Sequence, residues 1–174
     1  MEPSSEFRER ALVMVLVDLA RFTRVMSELG LRETADVLDD FYRATQEIVE
    51  QQGGWVVKFV GDACLAAFAP DDAVAAIDTV DVLTDRMRRL GDARGVTIEV
   101  GANVHLASVA EVRLGTHGVA DLVGMGVVHT YRMGGGAGIR ISEPVYRKLP
   151  SARRGPWRKR QPPATYERAM SEDR

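Results

Sequence analysis

The sequence predicts an α+β domain, with one mixed or antiparallel sheet and helices on one face. Three observations predict it. Short apolar runs rich in valine alternate with longer stretches whose apolar residues recur at helical spacing. Two of the runs, Trp55 to Val60 and Ala63 to Phe68, are separated only by Gly61-Asp62, a hairpin turn that makes them antiparallel neighbours. The order of elements along the chain, β-α-α-β-β-α-β-β-α-β, suits a layered sheet-and-helix domain.

Each element has a local reason. Ala11-Leu-Val-Met-Val-Leu-Val-Asp18 reads as a buried strand that ends on a carboxylate. Arg21 to Leu29 reads as a short helix closed by Gly30. From Leu31 to Gln52, Val37, Leu38, Phe41, Ile48 and Val49 form a helical stripe, which Gly53-Gly54 stops. After the hairpin, Pro70-Asp71-Asp72 opens a third helix with Val74, Ile77, Val80, Val82, Leu83 and Met87, expected to end at Gly91-Asp92. Val96 to Leu106 reads as a strand and Ser108 to Leu114 as a further short one. Gly124 to Met133 reads as a helix ended by Gly134-Gly135-Gly136. Ile139 to Ser142 is a strand, and Ser142 can cap a helix from Glu143 to Leu149. The sum is near the ferredoxin-like (palm-type) arrangement with a βααββαβ core. Residues 9–169 form the domain, and residues 1–8 and 170–174 are expected to fray.

Composition removes several function classes. At 174 residues and 45% hydrophobic, the chain can bury one full core. A net charge of −2 gives no general case for binding nucleic acid or membrane, and the basic cluster Arg153 to Arg160 is short. Cys64 is the only cysteine and lies in an apolar strand, so no disulfide framework forms. The longest apolar stretch, Ala11 to Val17, is far too short to span a bilayer. The polar start does not resemble a signal peptide, so a soluble cytoplasmic protein is expected.

Asp18 and Asp62 come together if the first strand lies beside the hairpin. Singly, each is an ordinary turn or cap residue. Crowded together, two carboxylates repel unless a cation sits between them. That pattern suggests a divalent metal site and, with it, chemistry on a phosphate substrate.

Three segments carry a resemblance to a known family. They are the first strand with Asp18-Leu-Ala-Arg-Phe22-Thr23, the hairpin Lys58-Phe-Val-Gly-Asp62, and the block Asp121-Leu-Val-Gly124-Met-Gly-Val-Val-His-Thr-Tyr-Arg132-Met. Together they resemble the class III nucleotidyl cyclases, over residues 10 to 168 or so. The resemblance implies a head-to-tail dimer, either of two copies or with another cyclase domain, whose sites are shared across the interface. It implies attack of a ribose 3′-oxygen on the α-phosphate of a nucleoside triphosphate, with release of pyrophosphate. Asp18 and Asp62 would hold two Mg²⁺ or Mn²⁺ ions. The segment after Asp18, running to Phe22 and Thr23, would take the β- and γ-phosphates through its backbone N–H groups. Lys58 and Asp121 would read adenine, the ammonium donating to N1 and the carboxylate accepting from the N6 amine, which makes ATP the expected substrate. Arg132 would stabilise charge on the α-phosphate. The closing strand, Gly155 to Arg160, would place a basic residue on the terminal phosphates: Arg160 by spacing, with Arg158 and Lys159 as alternatives.

The departures from the family pattern matter as much. Val128 stands where the family has the asparagine that positions the ribose. His129, the next residue, is turned about 100° away and replaces it only if the helix rotates. Met125 stands in place of an acidic residue, and His105-Leu-Ala in place of His-Thr-Gly; His105 reads as structural. The dimer arm, Glu111 to Ala120, is recognisable by its length and by Gly115 and Gly118. Two functions follow: an adenylate cyclase of low turnover, or a degenerate homologue that holds nucleotide and metal without efficient turnover. The Gly-Gly-acidic-Glu-Phe hairpin of diguanylate cyclases is replaced here by Phe-Val-Gly-Asp, and a pyrimidine substrate stays open.

Overall fold

The computed structural model describes residues 7–160 and 164–169. Residues 1–6 and 170–174, expected to fray, therefore lie outside the described residues, while Arg8 already starts the first strand. That strand, β1 (Arg8–Ala20), is fully buried from Leu12 to Val15, as its unbroken apolar run demands. It lies between β3 (Ala63–Phe68) and β4 (Glu99–Leu114), antiparallel to both. β2 (Trp55–Val60) is the hairpin partner of β3 and forms one edge. Beyond β4 come β6 (Gly138–Ser142), β8 (Thr165–Arg168) and β7 (Arg158–Arg160), with only β4 and β6 parallel among these neighbours. β5 (Val119–Val123) pairs back on the far half of β4. The α+β fold class and the mixed sheet are as the sequence predicts.

Alternate residues of β1 serve two cores. Val13, Val15 and Val17 pack with Phe41 and Ile48 of α2 (Leu31–Gln51) and with Ile77 and Leu83 of α3 (Ala73–Arg94). Phe22 and Val25 of α1 (Phe22–Glu28) and Val145 of α5 (Glu143–Lys148) complete that side. Truncating Phe41, which is wholly buried there, would cost about 3–5 kcal/mol. The intervening residues Leu12 and Met14 join Leu65, Val109, Leu122 and Val127 in a smaller core on the opposite face. Val127 belongs to α4 (Met125–Arg132), so this one short helix leaves the face that the sequence assigns to the helices.

Three expectations about boundaries need correction. The two strands expected over residues 96–114 are one strand, β4, because its apolar alternation continues through Ala107 and Val109 into the part paired with β5. Part of the expected arm is thus the β4–β5 hairpin. The third helix runs through Gly91 and ends at Gly95, which takes the left-handed conformation (φ 69°) that a helix C-cap favours. β8 was not anticipated, since Thr165-Tyr-Glu-Arg has no apolar alternation. No described helix is long and apolar enough to cross a membrane.

Candidate active site

Register places the first carboxylate. Asp18 lies opposite Ala63 on one side and Gly101 on the other. The Leu19 N–H donates to the Asp62 carbonyl oxygen at 3.1 Å, which pins the hairpin turn beside β1 and brings the two aspartates together. Burial and the charge of Asp62 push the Asp18 pKa up; Arg140 and the Gly101 N–H act the other way. Gly101 leaves the room this needs: a Cβ there would come within 2.5 Å of Asp18 Oδ1 and collide with the Gly136 carbonyl.

The residues fit a hard divalent cation. Their oxygens are the donors that Mg²⁺ and Mn²⁺ prefer, and like-charge strain at Asp18 is relieved by a cation. Among the described residues no group of three or more His, Cys, Asp and Glu side chains gathers around them. Mg²⁺ is usually held by one or two carboxylates plus substrate phosphates.

The second cluster joins distant segments. Lys58 Nζ donates to both oxygens of Asp121, at 2.8 and 2.7 Å, across 63 residues of sequence. Asp121 Oδ1 also accepts from the Leu122 N–H at 2.8 Å. Lys58 pairs in register with Leu65, and Leu65 with Leu16, so the lysine shares a sheet face with Leu16 and hence with Asp18. Arg132, the last residue of α4, is exposed, as are the neighbouring Val128 and Tyr131. The Tyr131 phenol is raised by burial and feels both Lys58 and Asp121.

No family model matches the chain. In sequence it is 28% identical, over 153 residues, to the photoactivated adenylate cyclase subunit beta of Euglena longa, covering 79% of this chain and 18% of that protein. It is also 28% identical over 152 residues to the corresponding subunit alpha of Euglena gracilis, covering 79% of this chain and 15% of that protein. The chain therefore spans less than a fifth of the length of these relatives. Its structure matches that of the guanylyl cyclase Cya2 with a TM-score of 0.81 and 21% identity, over 95% of both chains. It matches the adenylyl cyclase CyaB of P. aeruginosa with a TM-score of 0.79 and 19% identity, over 97% of both. The fold is that of a class III nucleotidyl cyclase catalytic domain.

Within that cyclase fold, the positions that depart from the family pattern can be located. Val128 is 38% exposed and Met125 77%, so α4 presents apolar side chains where the pattern has polar ones. His129 is engaged elsewhere on α4. Its ring packs on His105 with centroids 4.6 Å apart, which turns it away from the side that Val128 occupies. His105 is held neutral by burial and by His129, its pKa lowered to about 4, and its Nδ1 is buried without a partner among the described residues.

The phosphate-contacting candidates are scattered. Phe22 is a core residue of the main cluster, while Thr23 beside it is exposed. Arg21, just before α1, adopts a left-handed conformation (φ 56°) that only a few per cent of non-glycine residues take, and its guanidinium lies 3.6 Å from Glu99. Arg160 donates through Nε to Glu167 at 2.8 Å, Lys159 lies over the Tyr166 ring, and Arg158 is the register partner of Glu167.

Three residues of this domain are not singled out by the sequence: Asn103, Tyr131 and Arg140. Asn103, in mid-strand, donates to the carbonyls of Thr130 and Gly134, both at 2.9 Å, and so ties α4 to β4. Arg140 lines the same groove as Asp18. A signal for two of them was present. A polar residue flanked by apolar ones in a central strand, as in Ala102-Asn103-Val104 and Ile139-Arg140-Ile141, needs a buried partner.

Proposed function

We propose that this chain is a nucleotidyl cyclase that converts ATP to cyclic AMP and pyrophosphate, in sites shared across a head-to-tail dimer. The observation that carries the reading is the placement of the Asp18–Asp62 pair and the Lys58–Asp121 pair on one face of one sheet. Paired carboxylates serve the triphosphate end, and a lysine with an aspartate offers adenine a donor and an acceptor. Lys58 and Asp121 hold each other until a base replaces that contact with N1 and N6. Arg132, exposed at the end of α4, supplies positive charge for the α-phosphate, and Thr23 and Arg160, both exposed, are the candidates for the terminal phosphates. Bound Mg²⁺ or Mn²⁺ at Asp18 and Asp62 would acidify the 3′-hydroxyl and offset triphosphate charge. The dimer is supported by exposed Val119, Val123, Met125, Val128 and Tyr131, apolar side chains on β5 and α4 that a second copy would cover.

Val128 favours a second reading, a homologue that holds nucleotide and cation and turns it over poorly or not at all. One experiment separates the two: purified protein with each of the four nucleoside triphosphates and Mn²⁺, the products resolved by mass spectrometry. Cyclic AMP from ATP alone supports the first reading. Tight ATP binding with all four nucleotides recovered intact supports the second. Cyclic product from GTP and none from ATP overturns the adenine assignment.

A further inference from the structure

Arg140 gives the carboxylate pair a cation of its own. Leu16, Asn103, Arg140, Glu167 and Arg158 are successive register partners across β1, β4, β6, β8 and β7, so they form one row on one face. Asp18, two residues along β1 from Leu16, shares that face. Asp18, Asn103, Gly134, Gly135 and Arg140 line a common groove of about 400 Å³. The Arg140 side chain is only 11% exposed and is fixed in place. Its Nη2 donates to the Gly135 carbonyl and, at 3.2 Å, to that of Gly136. Gly134 packs so closely that a Cβ there would lie 2.8 Å from Arg140 Cδ and Nε. The Gly136 carbonyl and the Asp18 carboxylate in turn crowd the same point above Gly101, so the guanidinium and Asp18 flank a single carbonyl group. On its other side Arg140 has Glu167 at 3.7 Å, but that carboxylate is taken at 2.8 Å by Arg160. The positive charge is therefore only partly neutralised there, and it acts on Asp18.

We propose that Arg140 is a positioning residue, the resident counter-cation of Asp18 and Asp62, which holds the two carboxylates together without metal and competes with a divalent cation for them. The inference rests on the reading of Asp18 and Asp62 as cation ligands. Without metal, the guanidinium offsets repulsion between the two carboxylates. When a divalent cation arrives, the same charge repels it. The protein alone then holds the cation weakly, and firm binding waits for the negative charge of a triphosphate. Arg140 thereby makes cation binding depend on nucleotide.

Calorimetric titration of Mn²⁺ into the nucleotide-free protein tests this, with circular dichroism to verify folding. Arg140→Gln should bind Mn²⁺ at least about tenfold more tightly than the wild type. Arg140→Lys, which keeps the charge, should stay near the wild type, and Asp18→Asn should lose binding. Glu167→Gln leaves Arg140 less neutralised and should weaken binding several-fold, which decides the matter if Arg140→Gln does not fold. An arginine that merely anchors the glycine loop predicts the opposite: both Arg140 variants bind no more tightly, and Glu167→Gln is silent. That result overturns the inference while Asp18-dependent binding by the wild type leaves the metal reading standing. If neither the wild type nor Arg140→Gln binds Mn²⁺, the metal reading and the inference fall together.

Discussion

The carboxylate end and the α4 end of the candidate site are built from different material. Asp18, Gly101, Arg140 and the pinned Asp62 turn sit in a sheet whose register fixes them. A slip of one residue in any of those strands would send its side chains to the opposite face. Val128, His129 and Arg132 stand on an eight-residue helix with one side open to solvent. A surface helix accepts a changed side chain with less disturbance to its neighbours than a buried strand does. Two of the three departures from the cyclase pattern, Val128 and Met125, fall on α4; the third, His105-Leu-Ala, lies on β4, four residues along from Gly101, the register partner of Asp18.

The largest effect should come from the carboxylate end. Asp62→Asn or Asp18→Asn is expected to lower cyclic nucleotide formation by about 10³-fold or more, since charge stabilisation at the phosphate is lost outright. Asp18→Asn should at the same time raise the melting temperature of the metal-free protein. The Asp18 pKa is raised in the fold, so the folded state loses stability as pH rises past the ordinary value of 3.8, and an uncharged residue escapes that loss. Loss of activity together with a lower melting temperature would mean that the aspartate is structural, and the contrast between the two ends would collapse. Next comes the α4 end. Val128→Asn should increase turnover by about 10²-fold with little change in KM, because it restores a polar group for orienting the ribose. An unchanged rate in a folded, ATP-binding protein would move the limit away from position 128. A smaller effect is expected at the base: Asp121→Ala should raise the KM for ATP by about tenfold and relax discrimination against GTP, read from competition kinetics. An unchanged preference would detach the Lys58–Asp121 pair from base recognition.

The same division governs what was legible in the sequence. The meeting of Asp18 with Asp62 could be read because a two-residue turn leaves one antiparallel pairing and one strand end to meet it. Lys58 and Asp121 were nameable as partners, but not their direct ion pair, which depends on how the β4–β5 hairpin folds across to β2. In the sequence Arg140 reads only as a strand residue, because its surroundings come from a row of register partners on four other strands, which no local spacing records. The continuity of β4 and the existence of β8 were missed for a related reason. Long-range pairing sustains strand geometry through segments whose own residues do not demand it.

His105 and His129 join the two ends, one on β4 and one on α4, and give the smallest of these effects. Burial, and secondarily the charge of His129, hold the His105 pKa near 4, against an ordinary 6.5. The unfolded chain therefore takes up a proton at a pH where the folded chain does not. The stability linked to His105 is fully present above pH 6.5 and drains away as pH falls from there towards 4. Melting temperatures measured between pH 8 and pH 4 should fall more steeply for the wild type than for His105→Gln, by a few degrees at the acid end of about this range. His129→Gln should flatten the slope only in part, because burial, the larger cause, remains. If His129→Gln flattened it as fully as His105→Gln, the charge of His129 rather than burial would be the larger cause of the His105 shift. The contact at 4.6 Å would then couple α4 to the sheet through charge as well as packing.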